Sequence, residues 1–171
     1  MRVLSLFSYV VDGFAHAVET VAGQRDAAGD APGVRWALRR GLWAGGLLTA
    51  ALATAVMFAP EAALGLLTDI PEVRDHAVAW LPATLACAMA GSFAYIFDGL
   101  FVGTARGRDL RNTMLVSFGQ VFAPLFAWAL YQRSLPWLWA ALGGFLAARA
   151  LTQAWVLLRA GHSTTSTGQP R

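Results

Sequence analysis

The chain has 171 residues, 57% of them hydrophobic and only 13% charged, with a mean hydropathy of +0.51. A soluble domain carries about 45–50% apolar and about 25% charged residues. Polar surface is too scarce here to cover a water-soluble core, so the composition points to a membrane protein. The 13 basic residues are all arginine; they face 10 acids, for a net charge of +3 and a pI of about 9.8. A basic balance can mark nucleic-acid binding, but these arginines sit between long apolar runs, which reads as membrane topology. The single cysteine, Cys87, lies inside an apolar run and reads as a small buried hydrophobe.

Crossing about 30 Å of hydrocarbon takes roughly 20 apolar residues in a helix. The first candidate, about residues 3–24, carries Asp12, His16 and Glu19. Read instead as a signal peptide, it would use Arg2 as charged start, Val3–Val11 as apolar core and Ala15-His16-Ala17 as cleavage site. That core is short, and Asp12 follows it at once. Residues 41–60, 76–103, 112–132 and 135–159 supply four further spans. Arg149 is the one charge inside the last apolar run, Ser134–Leu158. Pro82 and Pro124 fall inside helices and predict kinks. Residues 25–33 read as a turn, with an interfacial helix over Arg35–Arg40. Pro60, Asp69 and Pro71 bracket an outer loop. Residues 161–171 read as a disordered cytoplasmic tail. The expected fold is an all-α polytopic bundle of five transmembrane helices over residues 1–160.

Orientation follows from where arginine accumulates. Arg25, Arg35, Arg39, Arg40, Arg106, Arg108, Arg111, Arg159 and Arg171 fall on one face; Arg2, Arg74 and Arg133 fall on the other, with Glu61, Asp69, Glu72 and Asp75. The arginine-rich face is read as cytoplasmic, so Met1 is outside and Arg171 inside. Trp80, Trp128, Tyr131, Trp137 and Trp139 mark the outer interface, and Trp36, Trp43 and Trp155 the inner one.

Ionisable groups at membrane depth are costly and mark function. Asp12, His16 and Glu19, four and three residues apart, share one helix face, and Ser5 and Ser8 extend it. Such a stripe must face protein or water; it is either a proton or cation pathway or a set of interhelical hydrogen bonds. Asp98 lies eight residues before Arg106, roughly 12 Å from the inner end, and Gly99 beside it permits close approach. Arg149 lies ten residues before Arg159, roughly 15 Å deep. It needs an acid, and Asp98 and Asp12 are the ones available. Gly41/Gly45, Gly103/Gly107 and Ala140/Gly144/Ala148 have the four-residue spacing of helix contact faces. Val11-Asp12-Gly13-Phe14 and Phe97-Asp98-Gly99-Leu100 form a faint internal echo. His76 and His162 read as solvated surface. There is no catalytic triad, no HExxH and no zinc spacing, so an enzyme is not expected, and neither is a bound metal or cofactor.

These segments resemble a family. Asp12-Gly13-Phe14-Ala15-His16-Ala17-Val18-Glu19-Thr20-Val21-Ala22-Gly23-Gln24 is similar to the eighth-helix signature of the MATE (multidrug and toxic compound extrusion) transporters, in the DNA-damage-inducible protein F-like branch. Phe97–Arg106, followed by Leu110-Arg111-Asn112-Thr113-Met114, resembles the tenth helix and its inner loop. Leu67–Val73 resembles the outer connection before it. The likeness runs from Val3 to about Arg159 and implies helices eight to twelve of a twelve-helix, two-lobe protein. Arg25-Asp26 departs from the small apolar residue and glycine usual there.

The resemblance implies a multi-pass protein of the inner (plasma) membrane, an antiporter exporting cationic or amphiphilic compounds in exchange for H+ or Na+. Asp98, Asp12, Glu19 and His16 would carry cation or proton coupling, with Arg149, Gly99 and Gly13 in structural or affinity-tuning roles. Its partners would be membrane lipid and the transported compounds, not nucleic acid. Alternating access needs two bundles, so an N-terminal lobe or a second chain is expected. The alternative is a non-transporting membrane scaffold or assembly subunit, or an inactive truncated fragment.

Overall fold

The computed structural model describes residues 2–65, 68 and 70–163. It is a helical bundle, without strands among the described residues. The helices are α1 (Arg2–Ala27), α2 (Ala31–Phe58), α3 (Pro60–Gly65), α4 (Pro71–Gly103), α5 (Gly107–Ser117), α6 (Ala123–Tyr131) and α7 (Leu135–Ser163). A π turn, Phe118–Phe122, joins α5 to α6. Among the described residues, four spans are long and apolar enough to cross a membrane: α2, α4, the α5–α6 unit and α7. The 26-residue α1 has the length as well, but carries its polar stripe.

Several boundaries differ from the expectation. The connection after α1 is only Ala28–Asp30, not residues 25–33, and the segment expected as a separate interfacial helix is the first part of α2. A local cap explains this. Gly29 takes φ +71°, which glycine adopts freely. Asp30 accepts a 2.9 Å bond from the Gly33 amide and a 3.0 Å bond from Arg25 Nη1, and Pro32 sits in the first turn. Arg25, the departure from the family pattern, is therefore a staple of this turn.

The break expected at Pro124 takes the form of the π turn. Proline has no N–H to close the helix ahead of it, and the ladder widens by one residue just before, with the Ala123 amide reaching Phe118 O. α4 runs unbroken through Pro82. The connection between α2 and α4, expected as an outer loop, contains the short α3, while Leu66, Leu67 and Asp69 lie outside the described residues. α7 runs on through Ser163, past the expected start of the tail at Gly161. Residues 164–171 and the His162 side chain lie outside what is described.

α4 is the hub. Of its apolar window 56% is buried, against 22% for α2 and 17% for α7; α1, α2 and α7 all pack on it. α1 turns Phe7, Val11, Val18 and Ala22 inward, spaced four, seven and four apart on one face. One cluster joins Val11, Val18, Ala22, Ala37, Ile96 and Leu100; a second joins Phe7, Leu81, Leu85 and Ala88. Large apolar side chains cover the outside, among them Trp43, Leu47, Phe58 and Leu151, as a lipid-facing surface requires. At the arginine-rich end Arg40 lies over Trp36 and Arg159 over Trp155; at the other end Trp80 stacks on Trp139 and Trp128 meets Tyr131. The pairs sit where aromatic belts are found.

Small residues set the helix spacing. Gly41 and Gly45 of α2 receive Val18 and Ile96. Gly144 meets Val121 and Leu125, and Cys87 is buried beside Gly143. The seam on α4 is Gly99/Gly103 rather than Gly103/Gly107. A Cβ on Gly99 would run into the Ala15 carbonyl, and one on Gly103 into the Glu19 carbonyl, whereas Gly107 faces open space. From α1, a Cβ on Gly23 would lie 2.8 Å from the Gly103 carbonyl oxygen.

Two predictions follow from this geometry. Gly103→Ala pushes α1 off α4 and lowers stability by about 1–3 kcal/mol, while Gly107→Ala stays within about 0.5 kcal/mol of the parent; thermal unfolding in detergent reads both. The Gly33 amide, with help from Arg25, holds the Asp30 carboxyl below its ordinary value of 3.8. A lowered native value gives stability present above the unfolded value and lost as pH falls through the native one. The melting gap between the parent and Asp30→Ala is therefore expected to be full near neutrality and to close below about pH 4.

Candidate functional site

The most buried charges in the bundle form one cluster between α4 and α7. Arg149 and Gln153 are one turn apart on α7 and project from the same face. Both reach Asp98 on α4. Arg149 Nη2 donates to Asp98 Oδ2 at 2.5 Å, and Gln153 Nε2 donates to Oδ1 at 2.6 Å. Side-chain exposure is 18% for Asp98 and 11% for Arg149, and Gln153 is wholly buried. Of the two acids available to Arg149, the structure pairs it with Asp98.

The cluster is anchored behind. Thr152 Oγ1 donates to the Arg149 carbonyl at 3.0 Å and lies 3.2 Å from Ser117 Oγ on α5; Ser117 donates to Thr113 O. Three spans thus meet through polar contacts at one level. Two polar atoms in the cluster have no hydrogen-bond partner among the described residues, Arg149 Nε and Gln153 Oε1. Each retains hydrogen-bonding capacity beside a charged pair, so a group entering here finds a donor and an acceptor already dry.

The α1 residues lie apart from this cluster. His16 Nδ1 is 3.1 Å from Glu19 Oε2, with His16 side-chain exposure at 79%. Asp12 is half-buried and makes no hydrogen bond or ion pair among the described residues. The reason is angular: α1 docks through the Phe7/Val11/Val18/Ala22 face, and the stripe is rotated about a third of a turn from it. No hydrogen bond or ion pair joins it to Asp98. Gly13 faces open space, unlike Gly99, so the echo between the two Asp-Gly steps does not extend to their packing. No group of three or more His, Cys, Asp or Glu residues stands ready for a metal among the described residues. His76 is exposed, with Nδ1 3.0 Å from the Glu72 carbonyl oxygen.

Gln153, Thr152 and Ser117 were not singled out by the sequence. Polar uncharged residues in apolar runs are common, and only the i, i+4 spacing of Gln153 from Arg149 marked it. A small cavity of about 60 Å³ lies along the same α4–α7 interface, between Ser8 and Val11 of α1, Gly91 and Tyr95 of α4, and Leu146 of α7.

Removing one partner from a buried ion pair strands the other. Arg149→Met is expected to lower stability by about 3–5 kcal/mol, and adding Asp98→Asn to recover most of that loss. Gln153→Leu is expected to cost about 1.5–3 kcal/mol. Chemical unfolding in detergent measures all three; a double variant no better than Arg149→Met would show that the pair does not stabilise the bundle through mutual compensation.

The MatE family model matches residues 1–128, which include α1 and Asp98 and end within α6. DNA damage-inducible protein F of Escherichia coli (strain K12) is 31% identical over 159 residues, covering 90% of this chain and 33% of the relative. The chain therefore spans about a third of the length of the curated relative it matches. No solved structure matches the chain. With three-quarters of its length under the family model, the chain belongs to the MatE family.

Proposed function

We propose that this chain is the C-terminal portion of an efflux antiporter that expels cationic or amphiphilic compounds in exchange for H+ or Na+. In this reading α1, α2, α4, α5–α6 and α7 are five crossings of the inner membrane. The Met1 end lies outside and the arginine-rich turns lie in the cytoplasm, as the arginine distribution favours. The observation that carries the proposal is the carboxylate of Asp98, kept at membrane depth and shared by Arg149 and Gln153 of another helix.

The chemistry is a competition. With Asp98 ionised, Arg149 is neutralised and α7 is clamped to α4. A proton or a cation arriving at Asp98 displaces the guanidinium, which leaves a positive charge without its counter-ion in a dry interface. That state favours a different arrangement of α4 and α7, and a two-state bundle converts such a bias into movement. Asp12, His16 and Glu19, on the open flank of α1, line the route by which a cation approaches. Transport also needs a second bundle against which this one moves, supplied by a longer form of the chain or by another chain.

In cells expressing the complete transporter, Asp98→Asn is expected to abolish dye efflux per molecule of protein in the membrane, the amount being measured alongside because the substitution strands Arg149. Normal efflux would remove Asp98 from the mechanism. The saturated ion pair is also what a static scaffold would contain, so the charge swap Asp98→Arg with Arg149→Asp separates the two readings. Both predict that the swapped protein accumulates in the membrane; the antiporter reading alone predicts that the swap abolishes the efflux seen with the parent, whereas charges that serve only to pair leave it unchanged.

A further inference from the structure

A second feature lies on another flank of α4. A cavity of about 650 Å³ opens between α2, α4 and α7 near their arginine-rich ends. Its floor is hydrocarbon: Leu38 and Leu42 of α2, Phe97 of α4, Ala154 and Leu157 of α7. Its rim is charged, with Arg35 and Arg39 of α2, Arg106 after α4 and Asp26 at the end of α1. One face of α2 supplies both characters. Ala31, Val34, Arg35, Leu38, Arg39 and Leu42 recur at three- and four-residue steps, so the apolar wall and the two guanidiniums stand side by side.

The arginines at this end are not equivalent. Arg25 is bonded to Asp30, Arg106 to Asp109 at 2.7 Å, Arg40 lies over Trp36, and Arg159 lies over Trp155. Arg35 and Arg39 make no hydrogen bond, ion pair or ring contact among the described residues. Two uncommitted guanidiniums one turn apart form a donor fork suited to a phosphate. A free phosphate would have no use for the apolar floor beneath them, and a neutral hydrocarbon no use for the rim. An amphiphile with an anionic head matches both, and basic pockets between spanning helices take such heads. Asp26 on the same rim offers an acceptor to a headgroup hydroxyl.

We propose that this cleft binds an anionic glycerophospholipid, its phosphate held by Arg35 and Arg39 and an acyl chain laid along Leu38, Leu42, Phe97 and Leu157. The site is separate from the Asp98 cluster, and its occupancy does not depend on which compound the protein exports.

The test is native mass spectrometry of the full chain released from detergent, with phosphatidylglycerol or phosphatidylcholine added in turn. The parent is expected to retain phosphatidylglycerol in preference to phosphatidylcholine. Arg35→Gln with Arg39→Gln is expected to weaken that retention by about fivefold per arginine, with helicity by circular dichroism unchanged. Arg35→Lys with Arg39→Lys keeps most of the preference, because the charge remains. Ala154→Trp fills the floor and reduces retention of both lipids, and millimolar inorganic phosphate leaves the lipid bound. Equal retention of the two lipids by the parent overturns the proposal, as does full retention by the double glutamine variant. Displacement by phosphate, or indifference to Ala154→Trp, overturns it too, because either shows that the apolar floor takes no part.

Discussion

An apolar side chain gains little by leaving lipid for protein, so burial of hydrocarbon does not by itself hold this bundle together. Close backbone approach and buried polar contacts do that work here. The first operates between α1 and α4, where Gly99 and Gly103 bring carbonyls of α1 against the α4 backbone. The second operates between α4 and α7, where Asp98 meets Arg149 and Gln153. α4 takes part in both, and it is the most buried of the four apolar spans. The other spans present most of their apolar surface to the surroundings, which in water would be a fault and in lipid is a requirement.

Much of this was legible before any coordinates. Apolar runs of about 20 residues separated by arginine-bearing turns determine an all-helical membrane fold with little ambiguity. Asp98 and Arg149 stood out because a charge inside an apolar run is costly, and Arg149 required an acid. The register of the inner turn was harder to see, because the α2 helix begins in polar sequence where hydropathy is silent; Asp30, Pro32 and Gly29 were the readable signals of its cap. The glycine seam was misassigned to Gly103/Gly107, since glycine is abundant and spacing alone does not say which pair faces a neighbour. Gln153 escaped notice because an amide in an apolar run carries no charge to betray it.

The placement of the α1 stripe has a physical reading of its own. Its acids and histidine are excluded from the packed face because that face is filled by Phe7, Val11, Val18 and Ala22. A helix so divided offers one side to its own bundle and holds polar groups in reserve on the other. Under the proposed function, the division suits a lobe that works against a second bundle across a wet cleft. It also explains why the stripe and the Asp98 cluster are separate features in this chain.

The seam between α1 and α4 has a mechanical consequence. At Gly99 and Gly103 the two backbones touch directly, and at those points there is no rotamer to flip and no compressible layer to absorb sliding. Such contacts favour movement of the pair as one unit, so that a tilt of the segment carrying Asp98 would carry α1 with it. Compliance resides elsewhere: in the widened turn ahead of Pro124, and in the side-chain contacts that tie α7 to its neighbours.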